Sequence, residues 1–238
     1  MISYVDTCIV CKDNFWNADS NCIYSINVQA SKEIINKGNS TLDKYPENEE
    51  EYIKFNDSSE EAKIHYMPTK KKTSNLNKVS ELLGLFFLPA QIENYRCDYC
   101  PERTTCIQQF YIKDPPAFLI LNLKRYNLFS NPITKIKVKI LNEINIDIKN
   151  FVISTQKNRA SCEYELYAVI EHIGSLESGH YKAFIKSPIK EESNDRNENN
   201  IGPQNLWFSV DDSRVHKVKA EVVENCEAFL LFYERKNP

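Results

Sequence analysis

Ile112-Lys-Asp-Pro-Pro-Ala-Phe-Leu-Ile-Leu-Asn-Leu-Lys-Arg-Tyr126 sets an apolar run behind a proline pair and closes it with basic and aromatic residues. The run at 118–123 is far shorter than the roughly 20 residues a bilayer-spanning helix needs, and it reads as a strand. Strand texture continues on both sides of it. Candidate strands lie at 106–113, 118–126, 133–140, 163–172, 180–186, 206–210 and 228–234, and Ile133-Thr-Lys-Ile-Lys-Val-Lys-Ile140 alternates apolar with polar residues. So many strands joined by turns, with few helices, predict an α+β fold on a mostly antiparallel sheet.

Further upstream, Leu76, Val79, Leu82, Leu83, Phe86 and Phe87 recur at helical spacing, with Ser74 or Asn75 as the expected cap and Pro89 as the stop. Residues 38–75, including Glu47-Asn-Glu-Glu-Glu-Tyr52 and Lys70-Lys-Lys72, are charged and aperiodic. They read as a polar, disordered insertion, with a charged surface helix as the other reading. A second flexible loop is expected at 189–205, around Glu191-Glu-Ser-Asn-Asp-Arg-Asn-Glu-Asn-Asn200. Before the insertion, Cys22-Ile-Tyr-Ser-Ile-Asn-Val-Gln29 reads as a strand. The chain therefore divides into segments 1–37, 38–75, 76–113 and 114–238.

Composition narrows the function classes. A chain of 238 residues, 42% hydrophobic and 26% charged, can bury one core, or one core plus a small appendage. Thirty basic against thirty-three acidic side chains argue against a nucleic-acid partner. Only five glycines leave the turns to Asn, Asp, Ser and Pro. No cationic leader precedes an apolar stretch, so a cytoplasmic or nuclear address is expected, with no membrane partner. In such a compartment thiols stay reduced, and the eight cysteines read as metal ligands or core residues.

Four of those cysteines form two pairs, Cys8-Ile-Val-Cys11 and Cys97-Asp-Tyr-Cys100. Each Cys-x-x-Cys spacing lets two thiolates turn onto one metal, and two such knuckles complete a tetrahedral four-cysteine zinc site. Four thiolates leave no open coordination position, so that zinc would be structural. The gap between the pairs is long, and reduced cysteines also pack as small hydrophobes. Cys22, Cys106, Cys162 and Cys226 fall in or beside apolar runs and read as core.

The last seventy residues hold the other candidate chemistry. Gly174-Ser-Leu-Glu-Ser-Gly-His-Tyr181 places His180 at the start of a strand, and Trp207-Phe-Ser-Val-Asp-Asp-Ser213 ends another strand on two aspartates. If the strands are neighbours, Asp211 can fix the tautomer and orientation of His180. Taken alone, these pieces read as a half-exposed histidine and a solvated turn.

Together these pieces resemble the ubiquitin-specific protease family in identity, order and spacing. Tyr95-Arg-Cys-Asp-Tyr-Cys100 looks like that family's second finger knuckle, and 112–126 is similar to its Pro-Pro, apolar strand, Leu-Lys-Arg-aromatic stretch. Tyr164-Glu-Leu-Tyr-Ala-Val-Ile170 followed by Gly179-His-Tyr181 resembles the histidine box. Trp207 through Val215, with Ala228-Phe-Leu-Leu-Phe-Tyr-Glu234, resembles the aspartate box and closing strand. The resemblance covers most of 76–238; the match at 8–28 is thinner but in register.

The resemblance implies a papain-like cysteine protease with an antiparallel palm and zinc-stapled β fingers. It implies His180 as general base, Asp211 as the residue orienting it, and Asp212 as a second, assisting carboxylate. Cys8, Cys11, Cys97 and Cys100 match the finger ligands of a structural zinc. The implied substrate is ubiquitin or a ubiquitinated protein, cleaved after the C-terminal glycine of ubiquitin, and a regulatory partner is left open. One departure matters. The family's Asn- and Gly-containing cysteine box belongs ahead of the first knuckle, so the thumb bearing the nucleophile is expected to be missing and the chain alone to be silent. Cys22 has an Asn before it and a Gln after it at the box's offsets, but it lacks the glycine and follows the knuckle. The alternative is a non-catalytic ubiquitin-binding or scaffold module. A zinc ribbon unrelated to ubiquitin would leave the palm-like strands unexplained.

Overall fold

The computed structural model describes residues 77–127, 133–152, 161–175, 177–188 and 206–236, with the side chains of Gln91 and Asn127 set aside; five earlier strands are described by their backbone alone. Those five are β1 (Ile2–Cys8), β2 (Asn14–Asp19), β3 (Ile23–Asn27), β4 (Glu50–Lys54) and β5 (Glu61–His65). Then follow helix α1 (Val79–Phe86), β6 (Ala90–Tyr95), β7 (Thr104–Ile112), β8 (Phe118–Lys124) and the short pair β9 (Tyr126–Asn127) and β10 (Thr134–Lys135). The chain continues with β11 (Asn145–Asp147), β12 (Glu163–Gly174), β13 (Gly179–Lys186), β14 (Trp207–Asp211), β15 (Arg214–Val218), helix α2 (Ala220–Asn225) and β16 (Ala228–Arg235).

Two sheets carry the architecture. A four-stranded antiparallel sheet runs in the order β2-β1-β7-β6. An eight-stranded sheet runs β15-β14-β13-β12-β16-β8-β3, with β11 also paired to β12. Its pairings are antiparallel except β3 with β8. The expected α+β fold on a mostly antiparallel sheet is what forms.

The stretch at 112–126 shows why. Leu119, Leu121 and Leu123 are buried while Ile120 and Asn122 lie half-exposed between them, the two-residue period of a strand with one core face. The prolines lack N–H groups to give a ladder, yet their carbonyls are used: Pro115 O accepts from Arg235 Nη1 at 2.8 Å and Pro116 O from the Tyr164 hydroxyl at 2.6 Å. The core-facing residues of β8 meet Tyr164, Leu166, Val169, Leu231 and Tyr233 from the sheet and Val79, Leu82, Leu83 and Phe87 from α1. Phe87 stacks on Phe151 at 4.6 Å between ring centroids.

Three expectations are corrected. Helix α1 starts later than expected: Lys78 is its cap, and Ser74, Asn75 and Leu76 lie outside the described residues. The cause is Glu81, whose carboxylate accepts the backbone N–H groups of Asn77 and Lys78 at 3.0 and 3.1 Å. The alternating stretch at 133–140 is a strand only at Thr134–Lys135. Ile136 N–H still donates to Arg125 O at 2.8 Å, one rung beyond that pair, but the Val138 carbonyl is then taken by a side chain, Arg125 Nη1, at 2.7 Å. The polar stretch at 38–75 is not wholly irregular, since β4 and β5 pair antiparallel with Lys54 opposite Glu61. The loop at 189–205 lies outside the described residues. Helix α2, which carries one buried residue, Val223, went unread because six residues are too few to show a helical period.

Candidate active site

The hairpin β12–β13 and its neighbour β14 build the site. In the β12–β13 register Ile173 stands opposite His180, His172 opposite Tyr181 and Gly174 opposite Gly179. The turn between them is closed by Ser175, whose N–H donates to Ser178 O at 2.9 Å. Gly174 holds φ at +125°, a region L side chains rarely adopt, and an added Cβ there would lie 2.6 Å from Ser178 O. On the far side β13 pairs with β14, Ala183 opposite Val210. Asp211 ends β14, and Asp212 enters the tight turn to β15 with φ at 51°, a conformation a short polar side chain tolerates.

This arrangement brings His180 and Asp211 together: Nε2 and Oδ1 are 2.6 Å apart. Both side chains are partly open to solvent, at 45% and 38% exposure, so the pair is oriented but not sealed. His180, Asp211 and Asp212 each place a donor atom within 4.8 Å of the others. Chiefly through the Asp211 hydrogen bond, and further through the charges of Asp211 and Asp212, the His180 imidazole is held above its ordinary pKa. Asp211 is correspondingly held below the ordinary carboxylate value, first by the His180 hydrogen bond. With Nε2 occupied by Asp211, Nδ1 is the nitrogen left to meet another group, the division of labour a general base needs.

Beside His180 lies a groove of about 810 Å³ whose lining includes Lys135, Glu171, Ile173, Gly174 and Glu227. Ile173, the direct strand partner of His180, ties groove and pair together. One wall is braced by charge. Lys135, almost fully buried, pairs with Glu227 at 3.2 Å and donates to His172 O, and Glu227 N–H donates to Glu171 Oε1 at 2.8 Å. Behind it Arg125 is fully buried, with Nε on Ala228 O at 2.8 Å and Nη1 on Val138 O. Sequence reading named Arg125 only as part of a motif and missed Lys135, Glu171 and Glu227. Their one signal was the set of charges flanking short apolar runs.

No described cysteine joins the His180 group. Burial, which disfavours a thiolate, pushes the Cys226 thiol up to about 12 and raises that of Cys162. Cys106 is buried, as expected, whereas Cys162 and Cys226 are half-buried beside the core, and Cys22 lies outside the described residues.

The knuckle cysteines can be placed in part. Cys8 ends β1, and its backbone partner is Cys106 near the start of β7. Cys97 and Cys100 sit in the connection from β6 to β7, immediately before that point. Cys97 is only 2% exposed although its neighbour Tyr99 is 70% exposed. A buried thiol in an otherwise open turn, level with the Cys8 end of β1, suits a four-cysteine zinc site. Cys11 lies outside the described residues.

Comparisons with known proteins follow the same lines. The family model described as ubiquitin carboxyl-terminal hydrolase matches residues 12–233, a range that begins after Cys8 and Cys11. The chain is similar to Ubiquitin carboxyl-terminal hydrolase 2 of Gallus gallus, 34% identical over 147 residues that make up 61% of this chain and 36% of the relative. It is also similar to Ubiquitin carboxyl-terminal hydrolase 20 of Arabidopsis thaliana, 28% identical over 145 residues, 60% of this chain and 19% of the relative. The matches thus span about a third or less of those relatives' length. Among solved structures, the SAGA DUB module bound to monoubiquitin matches 99% of this chain and 40% of its own with a TM-score of 0.66. At 22% identity that likeness shows the fold.

Proposed function

Because the chain belongs to the ubiquitin carboxyl-terminal hydrolase family, we propose that it is the base-bearing part of a thiol-dependent deubiquitinase, which cleaves after the C-terminal glycine of ubiquitin. The observation that carries this reading is the 2.6 Å contact between His180 and Asp211, with the strand partner of His180, Ile173, lining a groove. The groove would receive the flexible C-terminal tail of ubiquitin.

In this mechanism His180 Nδ1 takes the proton of a cysteine thiol, and the thiolate attacks the carbonyl of the last glycine. The tetrahedral intermediate collapses to a thioester as His180 returns the proton to the departing lysine amine. His180 then deprotonates a water that hydrolyses the thioester, releasing the cysteine. Asp211 keeps Nε2 occupied and stabilises the imidazolium at each stage. Asp212 adds negative charge beside the same ring. The raised pKa of His180 favours the thiolate–imidazolium pair over the neutral one.

The nucleophile in this reading comes from outside the described residues. A papain-like thumb not represented in them would bring it against Nδ1. Cys8, Cys11, Cys97 and Cys100 would hold a zinc ion. When bound, that ion would cross-link the β1 and β6–β7 ends of the four-stranded sheet and take no part in the reaction. A second reading has one observation in its favour, the absence of any described cysteine at His180: a ubiquitin-binding module without turnover.

Ubiquitin carrying a cysteine-reactive electrophile at its C-terminus tests both. The expected result is ubiquitin binding with no covalent adduct from this chain alone. An adduct that disappears in His180→Ala would place the nucleophile within these residues, and mapping would show whether it is Cys22. A folded chain that neither binds ubiquitin nor reacts would sink the proposal.

A further inference from the structure

The strand tip that carries His180 is supported from behind by a side chain that the mechanism above does not use. His172 stands opposite Tyr181 in the β12–β13 register, and the two rings lie 4.9 Å apart. Successive residues of a strand face opposite sides, so His172 and Tyr181 occupy the face away from His180. His172 is only 7% exposed, and its Nδ1 has no hydrogen-bond partner among the described residues. A buried polar atom left in that state asks for an explanation beyond packing.

Gly179 supplies it. A Cβ added at Gly179 would lie 2.1 Å from His172 Nε2 and 2.8 Å from Cε1, so the imidazole occupies the space that any side chain at 179 would need. The ring therefore rests against the backbone of the residue immediately before His180. The His172 backbone is itself fixed, since its carbonyl accepts from Lys135, which is paired with Glu227. Between the braced backbone of β12 and the backbone of Gly179, the imidazole acts as a spacer of set thickness.

The geometry points to His172 as a positioning residue: its imidazole, wedged between Gly179 and Tyr181, sets the height of the strand tip and so holds His180 within hydrogen-bond reach of Asp211. This assignment rests on the reading of His180 as the general base. Its test needs no turnover, so a failed ubiquitin assay leaves it standing or falling on its own.

The chain has four histidines, few enough to follow each imidazole by NMR across a pH titration. The groups acting on His180 are Asp211 and Asp212, and Lys182 and Arg214 act on Asp211, so none of them is altered. In His172→Ala the tip loses its spacer, and the His180 titration should move down toward its ordinary value. His172→Gln and His172→Asn decide the matter if alanine does not fold. Glutamine reaches the Nε2 position over Gly179 and should keep the wild-type titration, whereas asparagine cannot reach it and should lose it. Gly179→Ala should disturb His180 as well, and His172→Ala in that background should restore part of the titration. A folded His172→Ala with His180 titrating as in the wild type would overturn the assignment, as would identical titrations in the glutamine and asparagine variants.

Discussion

Replacing Arg125 with methionine should destabilise the chain by about 2–4 kcal/mol, and the reasoning can be followed donor by donor. Arg125 is 1% exposed; its Nε donates to Ala228 O at 2.8 Å, its Nη1 to Val138 O at 2.7 Å, and its buried Nη2 has no partner among the described residues. Two hydrogen bonds from a charged donor contribute roughly 3–6 kcal/mol together. Against this stands the desolvation of the guanidinium, which burial makes unfavourable enough to lower its pKa, with Glu227 the main opposing charge. A buried charge replaced by an apolar side chain of similar volume is often neutral or stabilising when its partners are replaced too. Here they are not. Both partners are backbone carbonyls; methionine leaves the buried Ala228 carbonyl dry, at about 1–3 kcal/mol, and gives up the bond to the more open Val138 carbonyl, so the loss outweighs the relief.

The assay is urea unfolding followed by the fluorescence of the buried Trp207. With a slope of about 3 kcal/mol/M, a loss of about 3 kcal/mol moves the midpoint down by roughly 1 M. Arg125→Lys should fall between, because a single ammonium replaces the fork that reaches both carbonyls. Hydrogen exchange adds a local readout: the Ile136 N–H, bonded to Arg125 O, should lose protection before the amides of β12 and β16 do. A methionine variant as stable as the wild type, with Ile136 still protected, would show that the guanidinium's desolvation cancels its bonds and that Arg125 is no clamp.

Asp211→Asn keeps the shape of the pair and removes its charge, so the His180 titration should fall toward 6.5. Because the folded-state pKa of His180 is raised, the pair's stabilisation is present below 6.5 and lost as pH rises through the raised value. The stability gap between wild type and Asp211→Asn should therefore close on the alkaline side of that value, and a gap that persists there would contradict the pairing. The gap itself will be small, since both side chains meet solvent. For the knuckles, the chain should carry one zinc per molecule. Chelation or Cys97→Ser should strip protection from the β7 amides near Cys106 while leaving β12 and β16 protected. Metal-free protein with β7 protection unaffected by chelator would exclude a zinc staple.

What the sequence disclosed and what it hid divide along one physical line. The strands of the large sheet were legible because a period of two is written locally, as at Leu119, Leu121 and Leu123. His180 and Asp211 were legible as a possible pair because each sits at a strand end beside a turn, and β13 and β14 then proved to be neighbours. Contacts set by pairing register were not legible. Nothing near Gly179 announces that its missing side chain makes room for His172, because that contact exists only when residue 174 stands opposite 179. A shift of one residue would turn His172 to the other face.

The misread strand at 133–140 has the same origin. Its alternation is real, but Arg125, at the end of the apolar run, turns inward instead of into water. Its guanidinium takes the Val138 carbonyl, which a longer ladder would have used, and joins that segment to Ala228, 103 residues further along the chain from Arg125. The same side chain therefore takes a carbonyl from the 133–140 segment and ties it to the start of β16, next to Glu227 on the groove wall. A local pattern assigns a basic residue after an apolar run to the surface, and only the long-range partners reverse that assignment. The motif that carried the family resemblance is thus also the place where local reading of the fold breaks down. The breakdown follows from Arg125 being buried.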